Sequence, residues 1–453
     1  MSKFALLFIV VFLGGIGATV WQHSAFAFVL YELVYFLNPA DRWWGSHIPG
    51  ISYSFLASVL MLGILLLRYR TLSPKSPWMA HPAFKWMALL LASYYLVNLW
   101  AKVPQTHGEF TFIFMKLMVI VFVAYKLLDS EKALNYAIWG YVIGCAYIGY
   151  EATITGRNSG VRLEGIQLPQ SGDANSVAAT LVPVCSILLY MVWVGGRKVK
   201  ILCVVFGALI ANALVLLNSR GAFLGVLSSA GLFALFMIFS RYRQKGQRAA
   251  AVLLVIMGIS GGLYVTDDIF WERMGTLQNI ESRESGSGRI KFWLAALEMS
   301  KDHPLGMGVN GFNSLARFFL TDEERGGTEF RSVHSLWFQG LTEIGWPGLV
   351  FFLLMLLGVY RISRLARKRL LEAGERTKYF KLLALECALL GFLVAGTFIN
   401  QFRAEILYWM TLLVAVAGKV YYLQPLAEEQ QQKKKVSLKR SPHKFSTPAG
   451  SDQ

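Results

Sequence analysis

The chain has 453 residues, of which 55% are hydrophobic and 16% charged, with a mean hydropathy of +0.47. Repeated, nearly uncharged runs of about 16 to 20 residues cannot all be hidden in a water-soluble core, so the composition excludes a soluble monomer. The formal charge of +17 lies in short clusters between apolar runs, which is the pattern of cytoplasmic loops and excludes a nucleic-acid partner.

The first apolar run, 4–20, follows Lys3 and lacks a small-residue cleavage site ahead of a polar mature domain, so it reads as retained. The next, 25–37, is too short to cross a hydrocarbon core of about 30 Å as a straight helix. Full-length candidates continue through 53–67, 83–100, 111–128, 133–150, 174–194, 201–217, 222–239 and 249–265, then 333–360, 382–398 and 406–423. The expected fold is therefore an all-α, polytopic transmembrane bundle of about twelve spans. N-terminal transmembrane helices occupy 1–128, central ones 129–265 and C-terminal ones 333–423. An extracytoplasmic segment with an amphipathic helix fills 266–332, and a basic, disordered cytoplasmic tail fills 424–453.

Charge sets the expected orientation. Residues 197–200 carry three basic side chains, 241–248 carry four, and 361–381 carry eight against two acidic. With the tail, these read as cytoplasmic loops able to meet anionic lipids. The segment 266–332 has eleven acidic against eight basic residues and falls on the outer side by alternation. So do 151–173 and the turns 218–221 and 400–405. Loop 129–132, with two acidic residues and one basic, departs from the bias. Placing both chain ends inside requires that 4–37 make one net crossing.

Several polar residues stand out against this background. Arg220, in Asn218-Ser219-Arg220-Gly221, sits on the outer side against the positive-inside bias, where an arginine either snorkels to headgroups or clamps an anion. Arg289 follows Ser285-Gly286-Ser287-Gly288, with Trp293 one helical turn on. It is either a solvated loop arginine or a planar fork beside the backbone N–H groups of a helix start. His334, where the outer segment re-enters the membrane, is either an interfacial histidine or a general base for a lipid-borne substrate. Ser335 beside it completes no visible triad. Glu343, nine residues further on, falls nearly opposite His334 on a straight helix and suits a polar contact inside the bundle. Gly345, Pro347 and Gly348 mark a kink. The four cysteines lie in apolar runs. The seven histidines form no HExxH or close pair, and no DxD run occurs, so no metal site or cofactor is expected.

Taken together, Ser219-Arg220-Gly221, Ser287-Gly288-Arg289 with Trp293, Pro304-x-Gly306-x-Gly308-x-x-x-Phe312, and His334 followed by Leu336, Glu343, Gly345 and Gly348 resemble the O-antigen ligase and O-antigen polymerase superfamily. The likeness spans about residues 174–405. The string Tyr35-Phe36-Leu37-Asn38-Pro39 before a Trp-rich loop is similar to O-glycosylation ligases associated with exosortase systems. The resemblance implies a GT-C-like membrane glycosyltransferase of the bacterial inner membrane, with its site facing the periplasm. The donor would be an undecaprenyl-diphosphate-linked glycan, and the acceptor lipid A core, a glycoprotein or a growing glycan. It further implies that Arg220 and Arg289 hold the diphosphate and that His334 is catalytic, with Ser219, Trp293, Ser335 and Glu343 in support. The usual pattern has asparagine after the histidine, where this chain has Ser335. A repeat-unit polymerase is the alternative within the class. A lipid-linked glycan transporter is the alternative outside it, for which Lys116 is the clearest mid-span charge.

Overall fold

The computed structural model describes residues 2–275 and 286–440. Its described residues are helical apart from connecting loops and two isolated bridges, Ser159 with Arg162 and Leu168 with Ser171. Nine helices among them are long and apolar enough to cross a membrane. The chain is thus the all-α, multi-pass membrane bundle its composition demands.

Helix α1 (Lys3–Trp21) and helix α2 (Phe26–Leu37) open the bundle. Phe4 meets Trp43 and Tyr150 at ring distances of 5.8 and 6.0 Å. At the other end of α1, Arg68 donates to Ser24 Oγ at 3.0 Å and to the Val20 carbonyl at 2.8 Å. Helix α2 then returns, and the Asn38 side chain beyond it donates to the Gln167 carbonyl at 3.0 Å. Residues 4–37 therefore run as two antiparallel helices, of which only α1 is long and apolar enough to cross a membrane. A 12-residue helix spans only about 18 Å. It is tolerated because most of it is buried against its neighbours rather than matched to lipid.

Two apolar helices shorter than a full span follow, α3 (Tyr53–Leu67) and α4 (Pro82–Val97), and then α5 (Pro104–Leu127) and α6 (Glu131–Thr155). Lys116 on α5 is exposed, with its ammonium 5.0 Å over the Phe112 ring. Helices α7 (Ala174–Val194), α8 (Arg197–Leu217), α9 (Arg220–Phe239) and α10 (Gln247–Val265) complete the central group. A π turn, Leu227–Gly231, interrupts α9.

Three helices lie in the long segment beyond: α11 (Asp268–Gly275), α12 (Gly286–Asp302) and α13 (Gly311–Phe319). Phe292, Ala296 and Met299 of α12 are buried against Phe312, Ala316 and Val333, so one face of the expected amphipathic helix anchors a folded cap. Helices α14 (Leu336–Glu372), α15 (Arg376–Gly396) and α16 (Glu405–Gly418) finish the bundle. A π turn joins α16 to α17 (Gln424–Arg440), so the expected disordered tail is helical as far as Arg440.

The kink in α14 fixes the cap to the bundle. Gly345 has φ 67° and ψ −172° inside the helix. Pro347 has no N–H, so the Glu343 carbonyl loses its helical donor. The carbonyls freed by the kink pair with the cap loop: Met307 N donates to Thr342 O at 2.8 Å and Gly308 N to Glu343 O at 3.0 Å. Trp346 N in turn donates to Pro304 O at 2.9 Å. Glycine is required on both sides of this contact. A Cβ on Gly345 would lie 2.3 Å from Pro304 O, and one on Gly306 would lie 2.6 Å from Glu343 O.

The loop is also tied to α5. Val309 N donates to His107 Nδ1 at 3.0 Å, while His107 Nε2 lies 2.8 Å from the Tyr94 carbonyl. With Nδ1 accepting, the proton sits on Nε2. The kink anticipated from Gly345, Pro347 and Gly348 is present, and its use is to dock the cap.

Candidate active site

The cap lays Arg289, Trp293 and His334 over one end of α9, α14 and α15. Ser219 is the N-cap of α9, its hydroxyl accepting from Ala222 N at 3.4 Å, so Arg220 enters the first helical turn. Asn218 before it is left-handed, with φ 49°, and its side chain donates to the Val161 carbonyl at 3.1 Å. The turn that presents Arg220 is thus fixed by its neighbours.

Arg289 opens the described side chains of α12, its guanidinium 5.9 Å over the Phe398 ring. Residue 285 of the preceding Ser-Gly run lies outside the described residues. Trp293 stacks on Phe338 at 5.5 Å with the planes 16° apart, and lies 6.3 Å from Phe398. Aromatic surface from α12, α14 and the turn after α15 therefore walls the arginine on one side.

Arg289 is held below the usual arginine range, first by burial and then by the charges of Arg220 and Arg273. An arginine remains protonated under such pressure, so like charges are held close together here. Arg273 also reaches back to the Arg220 turn, its Nε donating to the Asn218 carbonyl at 2.9 Å. Arg331, whose guanidinium lies 5.2 Å over the Phe292 ring, adds another cation beside His334.

His334 has φ 50°, a left-handed conformation that costs a non-glycine residue energy and recurs at functional positions. Asn400 supports the strained loop: its side chain accepts from Ser335 N at 3.2 Å and donates to Ser332 Oγ. The imidazole is 6.3 Å from the Phe292 ring. Burial, then the charges of Arg289 and Arg331, pull it down to about 4, with Asp173 acting in the opposite direction. At neutral pH it is an uncharged base in a cationic setting.

The expected supporting residues divide. Trp293 walls the site and Ser219 caps the turn that presents Arg220. Ser335 is buried at the N-cap of α14, and its hydroxyl finds no partner among the described residues. Glu343 does not meet His334. It accepts from Tyr94 Oη at 2.6 Å and Gln339 Nε2 at 2.9 Å, and pairs with Arg403 at 3.0 Å. This is the polar contact inside the bundle anticipated from its helical position. Sequence reasoning missed Asp173, Arg273, Arg331 and Asn400 at the site, and Arg403 as the partner of Glu343. Only Arg331 carried a signal, three residues before the histidine.

Residues 205–353 match the family model described as O-antigen ligase. Over that stretch the chain is similar to the O-antigen ligase and polymerase superfamily. No curated protein matches the chain. Members of this superfamily are membrane glycosyltransferase-like ligases and polymerases. The matched stretch takes in Arg220, Arg273, Arg289, Arg331 and His334, and ends within α14. Asp173 and Asn400 lie outside it and reach the site from the N-cap of α7 and the turn after α15. Among the described residues, no three or more His, Cys, Asp or Glu side chains gather where they could hold a metal.

Proposed function

We propose that this protein transfers a glycan from an undecaprenyl-diphosphate carrier to an acceptor hydroxyl, acting as an O-antigen ligase on the periplasmic side of the bacterial inner membrane. The observation that supports the reading is the gathering of cations at the cap, with Arg220 and Arg273 beside Arg289, and Arg289 and Arg331 beside His334. An arginine cluster at a membrane margin suits a diphosphate, since planar guanidinium forks match its oxygens and low dielectric strengthens the attraction.

The acceptor oxygen attacks the anomeric carbon, and its proton passes to the His334 imidazole. The bond from that carbon to the carrier phosphate breaks, and its electron pair leaves on the diphosphate. Single displacement inverts the anomeric centre. Arg220 and Arg289 absorb the charge that develops on the leaving group, where stabilisation counts most. Bound diphosphate also offsets the arginine charges that depress His334, which strengthens the base when the donor is in place.

Reconstitution of the full chain with a lipid-linked glycan and a lipid A core acceptor tests this reading. A single glycan-to-core product is expected, whereas a ladder of lengthening carrier-linked glycan would assign a polymerase. Arg289→Lys and Arg220→Lys keep the charge but lose the fork, so carrier binding and transfer should both weaken, by roughly tenfold or more. Normal binding and transfer in both variants would reject the clamp.

A further inference from the structure

A cavity of about 160 Å³ lies beside the His334 loop, lined by α13 of the cap and by the bundle. Its walls carry the amides of Asn310, Asn313 and Asn400 and the hydroxyl of Thr342, with Phe312 and Val333 as apolar faces. Asn400 is the residue that bonds Ser332 and Ser335 on either side of Val333 and His334. The cavity and the candidate base thus share one wall.

The floor is formed by Gln339, Glu343 and Arg403. Glu343 and Arg403 neutralise one another, Tyr94 and Gln339 donate to the carboxylate, and Gln339 Oε1 accepts from Phe402 N at 3.0 Å. The floor is therefore rigid and without net charge. A diphosphate entering here would meet a guanidinium already engaged by a carboxylate, which repels it. Asn400 and the Thr342 hydroxyl are engaged with the protein, but the Asn310 and Asn313 amides can donate and accept, as a polyol requires, and the Phe312 and Val333 faces suit the C–H surface of a pyranose. Pockets for drug-sized ligands begin at roughly 300 Å³, so this one takes a single ring and not a chain.

We propose that this cavity is a subsite for one neutral sugar ring, held next to His334 and apart from the arginine cluster. That the ring belongs to a reacting glycan rests on the transfer function proposed above; that the cavity binds a pyranose does not. The ring comes either from the acceptor or from the donor glycan, and kinetics separates the two.

The full chain in nanodiscs should show saturation transfer in NMR to methyl pyranosides of glucose, galactose or N-acetylglucosamine. Asn313→Trp, which fills the cavity from a half-buried position on α13, should abolish that signal. Binding of inorganic pyrophosphate at the arginine cluster should be unchanged. Asn313→Ala, a milder change, should raise the KM of one substrate by roughly five- to tenfold, the size of a lost neutral hydrogen bond, with kcat little altered. A rise for the acceptor assigns the ring to the acceptor, and a rise for the donor assigns it to the donor. No pyranoside signal in the wild type, or signals and KM values unchanged in both variants, would overturn the subsite. Pyranoside binding that is lost in Asn313→Trp, in a chain that transfers nothing, would uphold the subsite and remove the transfer reading instead.

Discussion

At His334, burial and positive neighbours act in the same direction, and the sign of their effect is testable. A histidine base works unprotonated, so activity is present above its pKa and lost as pH falls through it. With His334 pulled down to about 4, the acid limb of kcat/KM is expected near pH 4, well below the ordinary imidazole value of about 6.5. Arg331→Ala removes one of the depressing charges, so the limb should move to higher pH. A limb unmoved by Arg331→Ala and retained in His334→Ala would belong to another group. Arg220, Arg289 and His334 were legible in the sequence because each is a polar residue where apolar sequence or loop charge makes it conspicuous. Asp173, Arg273 and Asn400 were not. Each belongs to a loop or cap helix of ordinary polarity and gains meaning only when packing brings it beside residues more than fifty positions away.

At the scale of elements, the kink in α14 turns a local defect into a joint. Pro347 and Gly345 announce a break in any apolar helix, and that much was readable. The partner of the break was not, because the freed Thr342 and Glu343 carbonyls are satisfied by Met307 and Gly308 from the cap loop. Gly345→Ala places a Cβ against Pro304 O and an L side chain at φ 67°. It should cost about 1–3 kcal/mol for the backbone alone. Faster proteolysis within the cap and a lower unfolding temperature are expected. Gly374→Ala, also at positive φ but with nothing near its Cβ, controls for strain without the contact. If both variants behave alike, the joint is not what holds the cap.

For the whole molecule, hydropathy was enough to read an all-α membrane bundle, but not how its short second helix is housed. Helix α2 is short by lipid standards and is buried by α6, a contact that hydropathy cannot see. The basic loops predict the orientation. In a chain freed of Cys145, Cys185, Cys203 and Cys387, cysteines at exposed Asp322 and Thr328 should react with an impermeant reagent in spheroplasts. Cysteines at Lys245 and Gly374 should react only after lysis, and the opposite pattern would invert the site. If arginines serve the proposed anion-binding role, transfer should persist in excess EDTA; loss restored by magnesium would contradict that assignment. The account as a whole stands on His334 as the group that takes the acceptor's proton. The most direct test is the turnover of His334→Ala with carrier-lipid binding measured on the same preparation. A fall of roughly 10²- to 10⁴-fold in transfer with binding nearly unchanged is expected, and near-wild-type turnover would contradict the account.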